Sequence, residues 1–431
     1  MIHRKRIIYY CLAAAMLFAG CSEESLPASE AQLKIDYPAT LKNYSVKSEK
    51  ISFSNTTTGS TSVFAKTNDI VLPDGLYDVD YEATITYDVV DSIETQTVEG
   101  KVRGKKEGVV IKGGHTDLTI GAHLFVDNND FIIEEVFFSG TLRTSGSSYT
   151  GDDYIKIYNN TNHTLYADGL AICESRFLTT QAYKYFPDIR EDTATVWSIY
   201  VIPGSGKEHP VEPGHSLLIC DTGIDHRMAN SNSFDLSKAD FEWYDVSSSP
   251  TSVDIDGPTV ENLDKWYCYT NTYFMLHNRG FHSYVLARIP VTKEQYLKDY
   301  YYEYDYESVL PTGTYYMSGK GYKMPNSWIV DGVNCSIQSV RQWNVLPASI
   351  DAGWTHCGVI DKDPQRYFRS VRRKVEYFNA DGTCHLQDTN NSTDDFNTEC
   401  IASEIEKQGT AISQDGTPCS QKTYDGQIPW K

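Results

Sequence analysis

A mainly β fold in two domains, the second carrying a long mixed insertion, is predicted for this 431-residue chain by three observations. Short runs between residues 50 and 87 alternate apolar and polar side chains with period two, the signature of half-buried strands. Further apolar runs at 129–140, 154–158, 165–172 and 211–220 are separated by polar turns. A body of about 400 residues also exceeds what one core usually serves.

The N-terminus comes first. His3, Arg4, Lys5 and Arg6 precede an apolar run from Ile7 to Phe18, and Ala19-Gly20-Cys21 closes it. This is the three-part layout of an export signal. The apolar run is shorter than the roughly 20 residues that a membrane span requires. Cleavage before Cys21 would free its thiol to take up diacylglycerol, so residues 1–20 read as a lipoprotein signal and Cys21 as the lipidation site. Residues 21–32 hold few large apolar side chains and read as a solvated tether. The acidic Glu23-Glu24 pair resembles the tag that directs Bacteroidales-type lipoproteins to the outer face of the outer membrane, and the expected location follows: outer membrane, lipid-anchored, surface-exposed.

The formal charge is −20. Losing Arg4, Lys5 and Arg6 with the signal takes the 38 basic residues to 35 against 58 acidic ones, a net of −23. Such a surface repels phosphate backbones and anionic headgroups, which excludes nucleic acid as a partner and leaves the lipid as the membrane contact. Beyond Cys11 and Cys21, eight cysteines remain, and six of them lie from Cys268 onward. In an oxidising compartment an even set with this bias is expected to staple the C-terminal part, whereas Cys173 and Cys220, inside apolar runs, suit buried thiols equally well.

The first domain is placed at 33–119. Its strand runs are Lys50–Ser54, Thr61–Ala65, Asp69–Pro73 and Tyr77–Tyr87, with Asn55-Thr56-Thr57-Thr58-Gly59 as a hairpin turn and Pro73-Asp74-Gly75 as a second turn. The Asn-Thr-x-x-Gly turn followed by Leu72-Pro73-x-Gly75-x-Tyr77-x-Val79 resembles prealbumin-like and carboxypeptidase-regulatory-like β-sandwiches, which are spacers and binding modules. The second domain is placed at 125–431. Its order of Glu135-Val136, Tyr154-Ile155-x-Ile157-Tyr158-Asn159, Asp168-Gly169-Leu170, Pro213-Gly214-x-Ser216-Leu217-Leu218-Ile219, Ser370-x-x-Arg373 and Asp388-Thr389 to Asp395-Phe396 resembles the lamin-tail domain. That likeness implies an immunoglobulin-like β-sandwich without catalytic residues. An insertion at about 223–369 is too long for a bare loop and should hold structure of its own. The whole layout resembles the Bacteroidales lipoproteins of the domain of unknown function 4876 family, a likeness that carries no activity.

Catalytic signatures fail at specific positions. There is no His-Glu-x-x-His, and no Gly-x-Ser-x-Gly accompanies Asp221, Asp225 and His226. Gly204-Ser205-Gly206-Lys207 has Val201 and Glu208 where a phosphate loop needs Gly and Ser/Thr. No enzyme activity and no cofactor are expected. Asp388, Asn390, Asp394 and Asp395 form the densest set of oxygen ligands and the one calcium candidate, against a plain Asx turn. The most unusual feature is the run Tyr300, Tyr301, Tyr302, Tyr304 and Tyr306. With Trp243 these are the expected ligand-binding side chains, since aromatic rings stack on sugars and concentrate at interfaces. The alternative is ordinary core packing. The expected function is a non-enzymatic binding or scaffold lipoprotein, the ligand-capturing partner of an outer-membrane uptake system. The alternatives are an extracellular hydrolase with its site in the insertion, or a structural envelope protein.

Overall fold

The computed structural model of the chain describes residues 27–39, 41–90, 95–125, 129–190, 192–379 and 381–409. Cys21 and the rest of the signal, with Cys419, lie outside these residues. The protein is mainly β, with several sheets and few, short helices. Among the described residues no helix is long and apolar enough to cross a membrane.

The chain divides into two compact units. One comprises 1–35, 50–80 and 105–120, and the other 36–49, 81–104 and 121–431. Residues 36–49 and 81–104, assigned by sequence to the first domain, therefore belong to the second unit. The assigned tether also shortens, because strand Ala28–Asp36 already begins within it. Ala31 and Leu33 are buried there, and Ala28 to Ala31 pair antiparallel with Pro73 to Ile70. The first unit otherwise follows its sequence. Asn55 Oδ1 accepts from the Thr57 and Thr58 amides, each at 2.9 Å, which closes the expected turn and pairs Ile51 with Phe64. Tyr77 Oη donates to the Pro73 carbonyl at 2.8 Å and fixes the second turn.

The second unit is built on two large sheets. The seven-stranded sheet runs Glu261–Asn262, Phe241–Glu242, Ser216–Cys220, Tyr154–Tyr158, Ile132–Phe137, Arg369–Arg373, Phe396–Ile401. The eight-stranded sheet runs Lys184–Phe186, Tyr301–Leu310, Gly313–Pro325, Thr193–Val201, Leu170–Ser175, Ser283–Arg288, Ile329–Asn334, and Asp264–Cys268 also pairs with Thr193–Val201. One apolar cluster draws on both: Ile133, Val136, Ile155 and Ile219 from the first, Leu170, Ile172, Tyr284, Leu286 and Val333 from the second. The insertion is thus not an appendage. Leu170 to Glu174 pair with Arg288 to Tyr284, so its strands complete the sheet that the preceding segment starts.

Strand Ile132–Phe137 is buried at every position, including Glu134 and Glu135. Glu135 accepts from the hydroxyls of Ser370 and Ser403 and from the Ser403 amide, while Lys156 lies 3.5 Å from Glu134. Helix Ser403–Gln408 supplies Glu406, whose carboxylate meets Arg372 at 2.5 Å. Charges on this face survive burial because each has a partner.

The expected staples are absent among the described residues: no disulfide joins Cys173, Cys220, Cys268, Cys335, Cys357, Cys384 and Cys400 to one another. Six of them are buried, and Cys268, Cys335 and Cys357 pack in the main apolar cluster. Burial pushes the Cys357 thiol well up, so these side chains act as small apolar fillers.

Candidate binding cleft and the sites proposed from sequence

The tyrosine run divides by strand geometry. Helix Lys293–Asp299 ends at Tyr300, whose ring packs 4.8 Å from Trp328, and strand Tyr301–Leu310 follows. Alternate side chains point to opposite faces. Tyr302 and Tyr304 therefore turn inward and are 5% and 3% exposed, while Tyr301 is 40% exposed and donates to Glu303 at 2.9 Å. The inward pair joins Phe177, Tyr185 and Trp343 in an aromatic cluster, with Tyr183 and the half-buried Tyr306 against it. Phe177 and Tyr185 stack at 3.8 Å. Tyr302 and Tyr304 are core rather than ligand platforms. Trp243, too, is corrected: it is 1% exposed, because Phe241–Glu242 runs parallel beside Ser216–Cys220 and turns the indole onto Phe274. Besides Tyr301, the hairpin exposes Tyr315 and Tyr316, on the return strand Gly313–Pro325.

The calcium candidate is corrected as well. Asp388 and Asp395 are buried, and the cation between them is a guanidinium. Arg373 places Nη1 at 3.2 Å from Asp388 and 3.4 Å from Asp395, and Nη2 at 2.7 Å from Asp331. Asp394 instead accepts from Asn391 Nδ2, and Asn390 sits at φ 54° in the turn.

The glycine loop 204–207 does form an anion cradle, filled by the protein itself. Asp168 accepts backbone N–H groups of Gly206, Glu208 and His209 at 3.0, 2.8 and 2.9 Å. Burial pushes its carboxyl up, but the three donors outweigh that and hold it below the ordinary range. A side chain at Gly204, φ +119°, would place Cβ 2.2 Å from Asp168 Oδ1, so only glycine fits. Asp168, Glu208 and His209 each bring a ligand-type atom within 4.8 Å of the others, yet the oxygens of Asp168 are already committed to the backbone. Asp225 pairs with Arg227, and His226 binds the Thr222 carbonyl through Nε2 and Tyr149 through Nδ1, so among the described residues no serine hydroxyl is bonded to this imidazole.

Next to the aromatic cluster opens a cleft of about 630 Å³. Its polar edge holds Gln96, Thr97, Asp188, Arg190 and Asn344, and its apolar wall includes Val98, Val345 and Pro347. Arg190 stacks 5.0 Å from the Trp343 ring and is gripped by both oxygens of Asp188, at 2.9 and 2.6 Å. Tyr302 Oη donates to the Pro187 carbonyl, which ties the segment carrying Asp188 to the tyrosine strand. Among the described residues the cleft lining is therefore close to neutral, tied down on one side and rich in hydrogen-bonding groups. Sequence reading missed it, because its parts come from three separated stretches, and only the Asp188-x-Arg190 spacing hints at the bidentate pair.

Residues 212–403 match the family described as "Protein of unknown function (DUF4876)". No curated protein matches the chain. Among solved structures, a DUF4876 family protein from Bacteroides thetaiotaomicron VPI-5482 is similar at 20% identity and a TM-score of 0.50, covering 90% of this chain and 98% of that one. In its fold, and in the sequence of its segment 212–403, the chain is similar to DUF4876 proteins.

Proposed function

We propose that the chain is an exported, non-enzymatic binding lipoprotein, anchored to the outer membrane through Cys21 and exposed at the cell surface as the capturing partner of an uptake system. Two β-sandwich domains, the second immunoglobulin-like, are its scaffold, and the cleft at Asp188, Arg190 and Asn344 takes a small, polar, uncharged ligand such as an oligosaccharide. The observation that carries this reading is the cleft itself. Its volume falls in the usual range for small-molecule sites, and Asp188, the one carboxylate that lines it among the described residues, is committed to Arg190. A rigid β scaffold holding a polar cleft suits recognition by hydrogen bonding.

The test is isothermal titration of the Cys21→Ala chain against neutral oligosaccharides. Binding is expected, and Arg190→Gln and Gln96→Ala are expected to weaken it by about tenfold each, the worth of one good polar contact. Heats that are absent throughout, or unchanged in both variants, would remove the cleft from the proposal. The anchor has its own test. Cys21→Ala is expected to move the protein from the membrane to the soluble fraction of cells, and a variant that stays with the membrane defeats the lipidation reading.

A further inference from the structure

A second concavity, of about 500 Å³, has the opposite character from the rest of this acidic chain. Arg279, Lys362 and Arg366 line it, with Tyr367 and Leu142, and among the described residues no carboxylate lines it. Arg366 is the telling group, because it is only 6% exposed. Its guanidinium donates to the Asn278 carbonyl at 3.0 Å, the Asp363 carbonyl at 2.8 Å and Tyr367 Oη at 2.9 Å, and lies 4.2 Å from the Tyr367 ring.

All of these acceptors are neutral, and among the described residues no carboxylate oxygen comes within ion-pair distance of Arg366. Buried arginines elsewhere in the chain are treated differently: Arg372 meets Glu406 at 2.5 Å and Arg373 meets Asp331 at 2.7 Å. The nearby Asp363 carboxylate is spent on the amides of Val359 and Gln365, at 2.9 Å each. Arg279 gives one nitrogen to Asp361 at 2.6 Å, and Lys362, held at φ 59°, has no ion pair among the described residues. The surplus positive charge is felt next door: burial first, and then Arg279, holds His277 down at about 4. Asp363 attracts Arg366 electrostatically but makes no ion pair with it, and a buried, geometrically fixed cation with no ion pair is costly unless an anion can reach it. A planar guanidinium with two further cations at its rim is suited to an oxyanion.

We infer that this concavity is an oxyanion-binding site that takes the carboxylate or sulfate group of a small ligand, with Arg366 at its base, Arg279 and Lys362 at its rim and the Tyr367 ring as a wall. It is separate from the cleft at Asp188 and Arg190 and does not depend on what that cleft binds.

The experiment is isothermal titration of the Cys21→Ala chain with sodium sulfate, sodium glucuronate and glucose, at ionic strength held constant with sodium chloride. Sulfate, glucuronate or both are expected to bind at one site while glucose does not, and which anion binds identifies the group recognised. Lys362→Gln, at an exposed position, and Arg279→Gln, at a partly buried one, are expected to weaken binding by about tenfold each. Arg366→Gln should abolish it, with circular dichroism reporting whether that variant folds. Failure of both anions to bind up to about 10 mM, or full binding in the Lys362→Gln, Arg279→Gln double variant, overturns the inference.

Discussion

Arg373→Met is expected to lower the stability of the protein by about 3–5 kcal/mol at pH 7.5, the usual cost of removing one partner from a buried ionic group. The guanidinium is 2% exposed and serves three carboxylates, those of Asp331, Asp388 and Asp395. It also donates through Nε to the Ile133 carbonyl at 2.8 Å and lies 4.7 Å from the Phe396 ring. Methionine fills much of the volume but leaves three carboxylates facing one another in the interior. Even with Arg373 present, burial outweighs its attraction and lifts the Asp331 carboxyl to about 7 and that of Asp395 to about 8. Without it they must rise further, so the deficit of the variant should shrink as the pH falls towards 5. Chemical denaturation at pH 7.5 and 5 measures both quantities. A loss under about 1 kcal/mol would mean that the arginine does not neutralise this cluster.

The second large effect is on the pH dependence of stability. Burial lifts the carboxyl of Glu174 to about 8 and that of Glu242 to about 7, and those of Asp152 and Asp351 to about 6. A carboxyl raised by folding binds its proton more tightly in the native state. Its contribution is complete below the ordinary carboxylate range and is lost as pH rises through these values. His226 and His277 are held down at about 4 and His282 at about 3, again by burial first. Their contribution is complete above about 6.5 and is lost as pH falls towards those values.

From pH 8.5 to 6.5 only the carboxyl effect operates, so stability should climb; below 6.5 the two oppose and the curve should flatten. Glu174→Gln isolates one term. Glu174 accepts from Trp197 Nε1 at 2.9 Å, and glutamine can keep that bond without the charge. The variant is expected to exceed the parent by about 2 kcal/mol or more at pH 8.5 and to converge with it near pH 5. A parent curve that rises with pH from 6.5 to 8.5 would contradict this assignment.

Several local features were legible from the residues alone. The alternation in 50–87 and the Asn55 turn stand where period two and turn chemistry put them, and the strands around Ile132, Tyr154, Leu170 and Ser216 stand in the apolar runs between polar turns, because these signals are properties of neighbouring residues. The mainly β class follows from the same signals.

What the aromatic and acidic residues would do was decided by chain folding. Tyr302 and Trp243 looked like ligand contacts because composition does not say which face of a strand is covered. Asp388 and Asp395 looked like a calcium site because their partner, Arg373, lies 15 and 22 residues away, and Asp331 a further 42 on the other side. Arg190 and Trp343, likewise, meet only in the folded chain. Short-range patterns thus determined the class and most strand positions of this protein. Tertiary structure alone determined which charges are neutralised internally and which, like Arg366, are left for a ligand, because electrostatic partnership depends on distance in space and not along the chain.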